Sequence, residues 1–117
     1  MNKKEIADLA AWTAKSIQDT LTQDGRKLDD AGADIIREYV QTDLTNSERG
    51  EKITIENSIK LAQEILANRR HETKTEDETF NALMILSSKF PAFVTANRRK
   101  RDEEAARIAA TMPAVKV

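Results

Sequence analysis

The residues able to do chemistry in this chain are few. His71 is the single histidine and there is no cysteine. Zinc sites nearly always draw a His or Cys among their ligands, and His71 stands directly after Arg70, whose charge disfavours a neighbouring cation. No loop has the calcium spacing of acids around a central glycine. A serine nucleophile would depend on His71 as its base, and no serine lies in a Gly-x-Ser-x-Gly elbow. Ser87 and Ser88 fall inside a predicted helix, where a serine hydroxyl usually bonds back to the backbone. Acidic clusters are plentiful, but each has a structural account. Asp29-Asp30 and Glu76-Asp77-Glu78 sit at predicted helix starts, where negative charge is stabilising, and Asp102-Glu103-Glu104 follows a basic run that it can neutralise. Gly25, Gly32 and Gly50 are too scattered to cradle a phosphate. The sequence therefore predicts no catalytic residue, no metal ligand, no cofactor and no small-molecule substrate; the chain reads as non-enzymatic.

The strongest local feature is the basic run Arg98-Arg99-Lys100-Arg101. On a helix it could grip phosphates, and Arg69 and Arg70 would extend the patch if the preceding helix ended nearby. Neutralising about three phosphates gives a salt slope of roughly −3, a weak and non-specific grip. No aromatic interleaves the run, so no base-stacking platform is offered. Against this, Arg98–Asp102, Arg99–Glu103 and Lys100–Glu104 have the i,i+4 spacing of self-paired helix charges.

Two further features point to a partner. Trp12 lies about 120° away from the apolar stripe of its helix, among Asp8, Lys15 and Asp19; either a second helix covers that side, or Trp12 is a binding anchor, a role in which tryptophan is enriched. The last stripe of the chain reads Phe90, Val94, Asn97, Arg101, Ala105, Ile108, Met112. Its polar layer is costly to bury unpaired. Arg101 can snorkel to the bundle edge, meet an acid such as Asp34 or Glu38, or mark where the helix leaves the bundle and carries Ala105, Ile108 and Met112 to another chain.

The elements that hold these residues read as helices. The first spans about 3–23, capped by Asn2, with Glu5 at the capping-box position and Gly25 as its stop. The second starts at a cap on Asp29 or Asp30 and runs to about Leu44. Thr54 caps a third, to about Arg70. Thr75-Glu76-Asp77-Glu78 opens a fourth as a capping box with acids in its first turn. Its residues Phe80, Ala82, Leu83, Met84, Ile85 and Leu86 wrap nearly all round, the mark of a helix buried on every side, so it is predicted to be central. Phe90-Pro91 ends it, and Pro91 starts a fifth helix to about Thr111.

Composition agrees. Of 117 residues, 39% are apolar and 33% charged, with three glycines, two prolines and 4% aromatics, which favours long helices over many short strands. The charge is near balanced, 19 basic against 20 acidic residues, so no global field steers the chain to nucleic acid or membrane. Glu5 and Asp8 interrupt any leader-like apolar run, and no stretch reaches membrane-spanning length. The absence of cysteine fits a reducing compartment, and the chain is expected to be cytoplasmic.

The reading is a single all-α domain over 1–112, a bundle of four or five helices, with a short tail at 113–117. Its predicted core comprises Ile6, Leu9, Ile17, Ile36, Tyr39, Val40, Ile59, Ile65, Leu66, Phe80, Leu83, Met84, Leu86, Phe90 and Val94. The expected function is that of a helical interaction protein (an adaptor, inhibitor or regulator) that binds a protein partner or itself through Trp12, Lys15, Ala105, Ile108 and Met112. The alternative is a nucleic-acid-binding accessory protein using Arg98, Arg99, Lys100, Arg101, Arg69 and Arg70.

Overall fold

Short-range caps fix where the helices begin. In the computed structural model, which describes residues 1–111, four helices follow in order: α1 (Lys3–Gln23), α2 (Asp30–Glu48), α3 (Ile55–Arg69) and α4 (Glu76–Thr111). Met112 and the tail 113–117 lie outside the described residues. Asn2 Oδ1 accepts from the Glu5 amide at 2.8 Å, Asp29 Oδ1 from Gly32 at 2.8 Å, and Thr54 Oγ1 from Asn57 at 3.1 Å. Each cap satisfies an amide that the first turn leaves orphaned. α1 ends as its sequence predicts, with Gly25 in the left-handed region at φ +78° and the Arg26 amide bonded to the Leu21 carbonyl, a closure that favours a residue without Cβ.

The helices alternate in direction. Arg26, just after α1, reaches Glu78 at the start of α4, whereas Glu5, near the start of α1, meets Arg101 toward the end of α4. The beginning of α2 is tied to the beginning of α4 through Asp29 and Thr75, and its end meets Arg98. So α2 and α4 run one way, and α1 and α3 the other.

The central helix is α2, not α4. It packs along α1 and also against α3 and α4, and Gly32, Ile35, Ile36, Tyr39, Val40, Asp43 and Leu44 are all buried. The expectation for α4 fails because one of its apolar sides faces solvent: Ile85 is 59% exposed and Phe80 43%. Phe80 therefore leaves the predicted core, and Leu9, Ile17, Ile59, Met84 and Leu86 are only partly buried. The other predicted core residues are buried, with Tyr39 and Phe90 meeting edge to face at 5.3 Å between centroids.

The predicted break at Phe90-Pro91 is also absent. α4 continues through Pro91. An interior proline removes a helical hydrogen bond and costs about 3 kcal/mol. Here Phe90 and Val94 are buried on either side of it, and their shared contact with the core offsets that loss.

The buried Thr13, Asp43, Ser58, Thr73, Thr79 and Ser87 side chains are hydrogen-bonded, whereas Glu78 Oε2 and Arg98 Nε are buried without a hydrogen bond among the described residues. Asp29 ties the start of α2 to the connector that leads into α4: beyond its cap, it accepts from Thr73 Oγ1, from Thr75 Oγ1 at 3.1 Å and from the Lys74 amide at 2.8 Å. Thr75 therefore binds α2 rather than serving the simple capping box expected of it. Burial pushes the Asp29 carboxyl up, but the bonds from Thr73, Lys74, Gly32 and Thr75 outweigh it and hold the pKa down at about 2. Asp43, buried beneath α3, accepts from Ser58 Oγ at 2.8 Å and Tyr39 OH at 3.4 Å; burial raises its pKa, and those bonds offset part of the rise. Ser87 donates to the Leu83 carbonyl at 2.6 Å, the backbone role predicted for it.

A candidate interaction groove

α1 and α4 lean on α2 from two sides without packing along each other. The space between them is an open apolar groove of about 590 Å³. Ile17 and Leu21 form its α1 wall; Ile85, Leu86 and Phe93 form its α4 wall. The spacing explains it. Residues 82, 85, 86, 89, 92 and 93 follow the i, i+3, i+4, i+7 rhythm of one helix face, a different face from the Leu83–Ser87–Phe90–Val94 stripe that enters the core. Lys89 is the single charged residue in the lining. Ion pairs bracket the groove: Arg26–Glu78 at 3.5 Å at one end and Arg101–Glu5 at 3.9 Å at the other.

Trp12 stands one helical turn before Ser16, which lines the α1 side, and is 65% exposed. No second helix covers it. Lys15 beside it is exposed and pairs with Asp19 at 3.2 Å. Trp12 is thus an exposed aromatic beside the α1 wall, separated from its apolar residues by Ser16 and the Lys15–Asp19 pair.

Past Arg98 the last helix leaves the bundle. Residues 99–110 are all exposed, Ala105 and Ile108 among them, and Ile108 is 50% exposed. α4 has 36 residues, roughly 54 Å of helix, and it sets the long dimension of a molecule measuring 61 × 32 × 21 Å. Of the routes open to Arg101, the structure has it leaning on Glu5 of α1. It does not meet Asp34 or Glu38.

Those two acids belong to Arg69. Its guanidinium holds Asp34 at 2.8 Å, Glu72 at 2.7 Å and Glu38. The bond that Arg69 donates to Glu72 leads those that raise the Arg69 pKa, against the opposing effect of burial; the bonds donated by Arg69 and Arg37 lower the pKa of Asp34. Arg70 donates to His71 Nε2 at 3.4 Å. Both arginines close α3 beside the start of α4, whereas the basic run lies some 22 residues farther along α4, about 33 Å away along its axis. The extended patch is therefore corrected to a short one, with Arg69 and Arg70 outside it. The run itself is partly committed: Arg98 bonds Ser47 at 2.9 Å and Glu48 at 3.3 Å. Arg99 and Lys100 are exposed and form no ion pair among the described residues. The expected i,i+4 pairs do not form; Glu104 pairs instead with Arg107 at 3.8 Å.

Among the described residues no three His, Cys, Asp or Glu side chains stand together to hold a metal, and no helix is long and apolar enough to cross a membrane. The groove was missed in the sequence because the apolar residues wrapping the start of α4, Ile85 and Leu86 among them, read as a helix buried on every side. The one available signal was the excess of apolar positions on α4. Comparison with protein-family models, with curated proteins and with solved structures finds no match to this chain.

Proposed function

We propose that this protein is a non-enzymatic interaction module whose groove between α1 and α4 receives an amphipathic helix, and that it acts as an adaptor, inhibitor or regulator. The observation that carries this reading is the groove itself. It is apolar, about 590 Å³ and walled on its two sides by α1 and α4, the shape that helix-in-groove recognition uses. Trp12 at its edge supplies an exposed aromatic anchor. The lack of cysteine fits work in a reducing compartment such as the cytoplasm.

The test is selection from a displayed library of helical peptides, against the wild-type chain and against Ile85→Asp. Ile85 is exposed, so the substitution leaves the core intact. Enrichment of peptides with apolar residues at i, i+3, i+4 and i+7 that bind wild type and lose Ile85→Asp supports the reading. No enrichment, or binding indifferent to Ile85→Asp, refutes it.

A second reading, nucleic-acid binding, is favoured by one observation: Arg99 and Lys100 are exposed and, among the described residues, carry no ion-pair partner. With Arg98 held by Glu48 and Arg101 by Glu5, two freely offered cations give a salt slope of only about −2. Fluorescence anisotropy of labelled oligonucleotides decides it. Salt-dependent binding that Arg99→Glu/Lys100→Glu abolishes would establish this reading in place of the groove.

A further inference from the structure

One charge is set into the apolar groove. Lys89 stands midway along the α4 wall, one helical turn from Ile85 and one from Phe93. It is exposed and forms no ion pair among the described residues. We propose that the helix received by the groove is an acidic one, with a carboxylate set between its apolar residues to meet the Lys89 ammonium. This names the chemistry of the partner and rests on the groove reading.

Among the described residues nothing supplies that carboxylate. The positions of α4 that reach Lys89 lie three and four residues away, and these are Ile85, Leu86, Ala92 and Phe93, all apolar. The opposite wall, on α1, offers Ser16, Ile17, Thr20 and Leu21, with hydroxyls but no acid. The acids at the two ends are engaged, Glu78 with Arg26 and Glu5 with Arg101. Beyond the groove, the exposed arm of α4 over 99–110 carries further acids. The first of them, Asp102, is 13 residues from Lys89, roughly 20 Å along the helix.

An unpaired cation in an apolar lining decides which helices fit. A helix that lies in the groove takes water from around Lys89. An apolar side chain opposite then leaves the ammonium both dry and unpaired, which is costly. A lysine or arginine there adds repulsion. An Asp or Glu gives the ammonium a partner. The groove thus discriminates as much by what it penalises as by what it attracts. The wall also sets where the acid must stand. Ile85, Lys89 and Phe93 repeat every four residues, so the partner carries apolar residues about one turn to either side of its carboxylate. The wall over 82–93 makes roughly 18 Å of helix, which limits the contact to about three turns.

The test sorts the displayed helical peptides on the wild-type chain and on Lys89→Glu. Lys89 is exposed, and circular dichroism should show the variant folded. Peptides enriched on wild type should carry Asp or Glu one turn from apolar residues. Those enriched on Lys89→Glu should carry Lys or Arg at that place. Fluorescence anisotropy then compares an enriched peptide with versions in which its acid is Gln or Lys. Gln should weaken binding to wild type about two- to fivefold, the scale of a partly exposed ion pair, and Lys should weaken it more. Added salt should narrow both differences, and Lys89→Glu should reverse the order. Peptides that need Ile85 but show no acidic bias, or a bias that Lys89→Glu leaves in place, overturn this inference and keep the groove reading. A library from which nothing binds removes both.

Discussion

Replacing Asp29 by Asn tests how much the carboxylate that ties the start of α2 to the start of α4 contributes to stability. Asn is as good an N-cap as Asp, and its Oδ1 can keep the Gly32 amide, so the helix start survives. What it loses is the second oxygen facing the Lys74 amide; an NH₂ there sets donor against donor. The pKa of Asp29 is held down from 3.8 to about 2. At about 1.4 kcal/mol per unit, that is about 2.5 kcal/mol between the charged and neutral forms, reduced to about 1–2 kcal/mol because solvent reaches part of the group. The sign follows from the direction: a carboxyl depressed in the folded state stabilises above its unfolded pKa and loses that contribution as pH falls from about 4 to about 2. Urea unfolding followed by circular dichroism should show Asp29→Asn about 1–2 kcal/mol less stable at pH 7, a melting midpoint lower by roughly 3–8 °C. By pH 3 about half the difference should be gone. A difference that does not change with pH, or none at pH 7, would refute the argument and place the cost in the cap or in packing.

Two other outcomes follow from contacts across the bundle. A Cβ added at Gly32 would stand 2.5 Å from Thr79 Oγ1 and 2.7 Å from Leu28 Cδ1, so Gly32→Ala should lose more to overpacking, about 1–3 kcal/mol, than the roughly 1 kcal/mol it gains in helix propensity; removing the obstructing hydroxyl in Gly32→Ala/Thr79→Ala should recover part of the loss in thermal melts. Arg69→Met should leave Asp34, Glu38 and Glu72 facing one another without their shared cation and cost about 1–2 kcal/mol in denaturant titrations, a deficit that shrinks at 1 M salt as the acids are screened; an unchanged midpoint would show that this exposed-edge cluster contributes nothing measurable.

What was legible in the sequence is what local interactions decide. The caps at Asn2, Asp29 and Thr54 work over three residues and stand where their types predict. The stop at Gly25 needs only a positive φ. The angle of Trp12 to the α1 stripe puts it off the core face, but only the structure shows that this side is uncovered. What failed depended on other parts of the chain. Pro91 looks like a boundary until Phe90 and Val94 are known to be buried together. The apolar residues round α4 look like a central helix until α1 is found standing off from it, which leaves Ile85 and Phe93 on a groove wall. Arg69 and the acids it holds are 31 and 35 residues apart in sequence, beyond the reach of any periodicity.

α4 is continuous in shape but not in strength. Proline contributes no amide at position 91, so the ladder that should link its turn to the one before is missing a rung within the packed part of α4, between the buried Phe90 and Val94. Beyond Val94 the arm is held by helical propagation and by the Arg98 and Arg101 ion pairs, and a stretch of its length is too short to be helical alone in water. Amide hydrogen exchange along this one helix should therefore be graded: slow through Leu83 to Phe90, where opening requires the core to open, and fast from Arg99 onward, where fraying suffices. Burial of Phe90 and Val94 confines this fraying to the arm, so the arm can melt and reform many times while the bundle that anchors it stays closed.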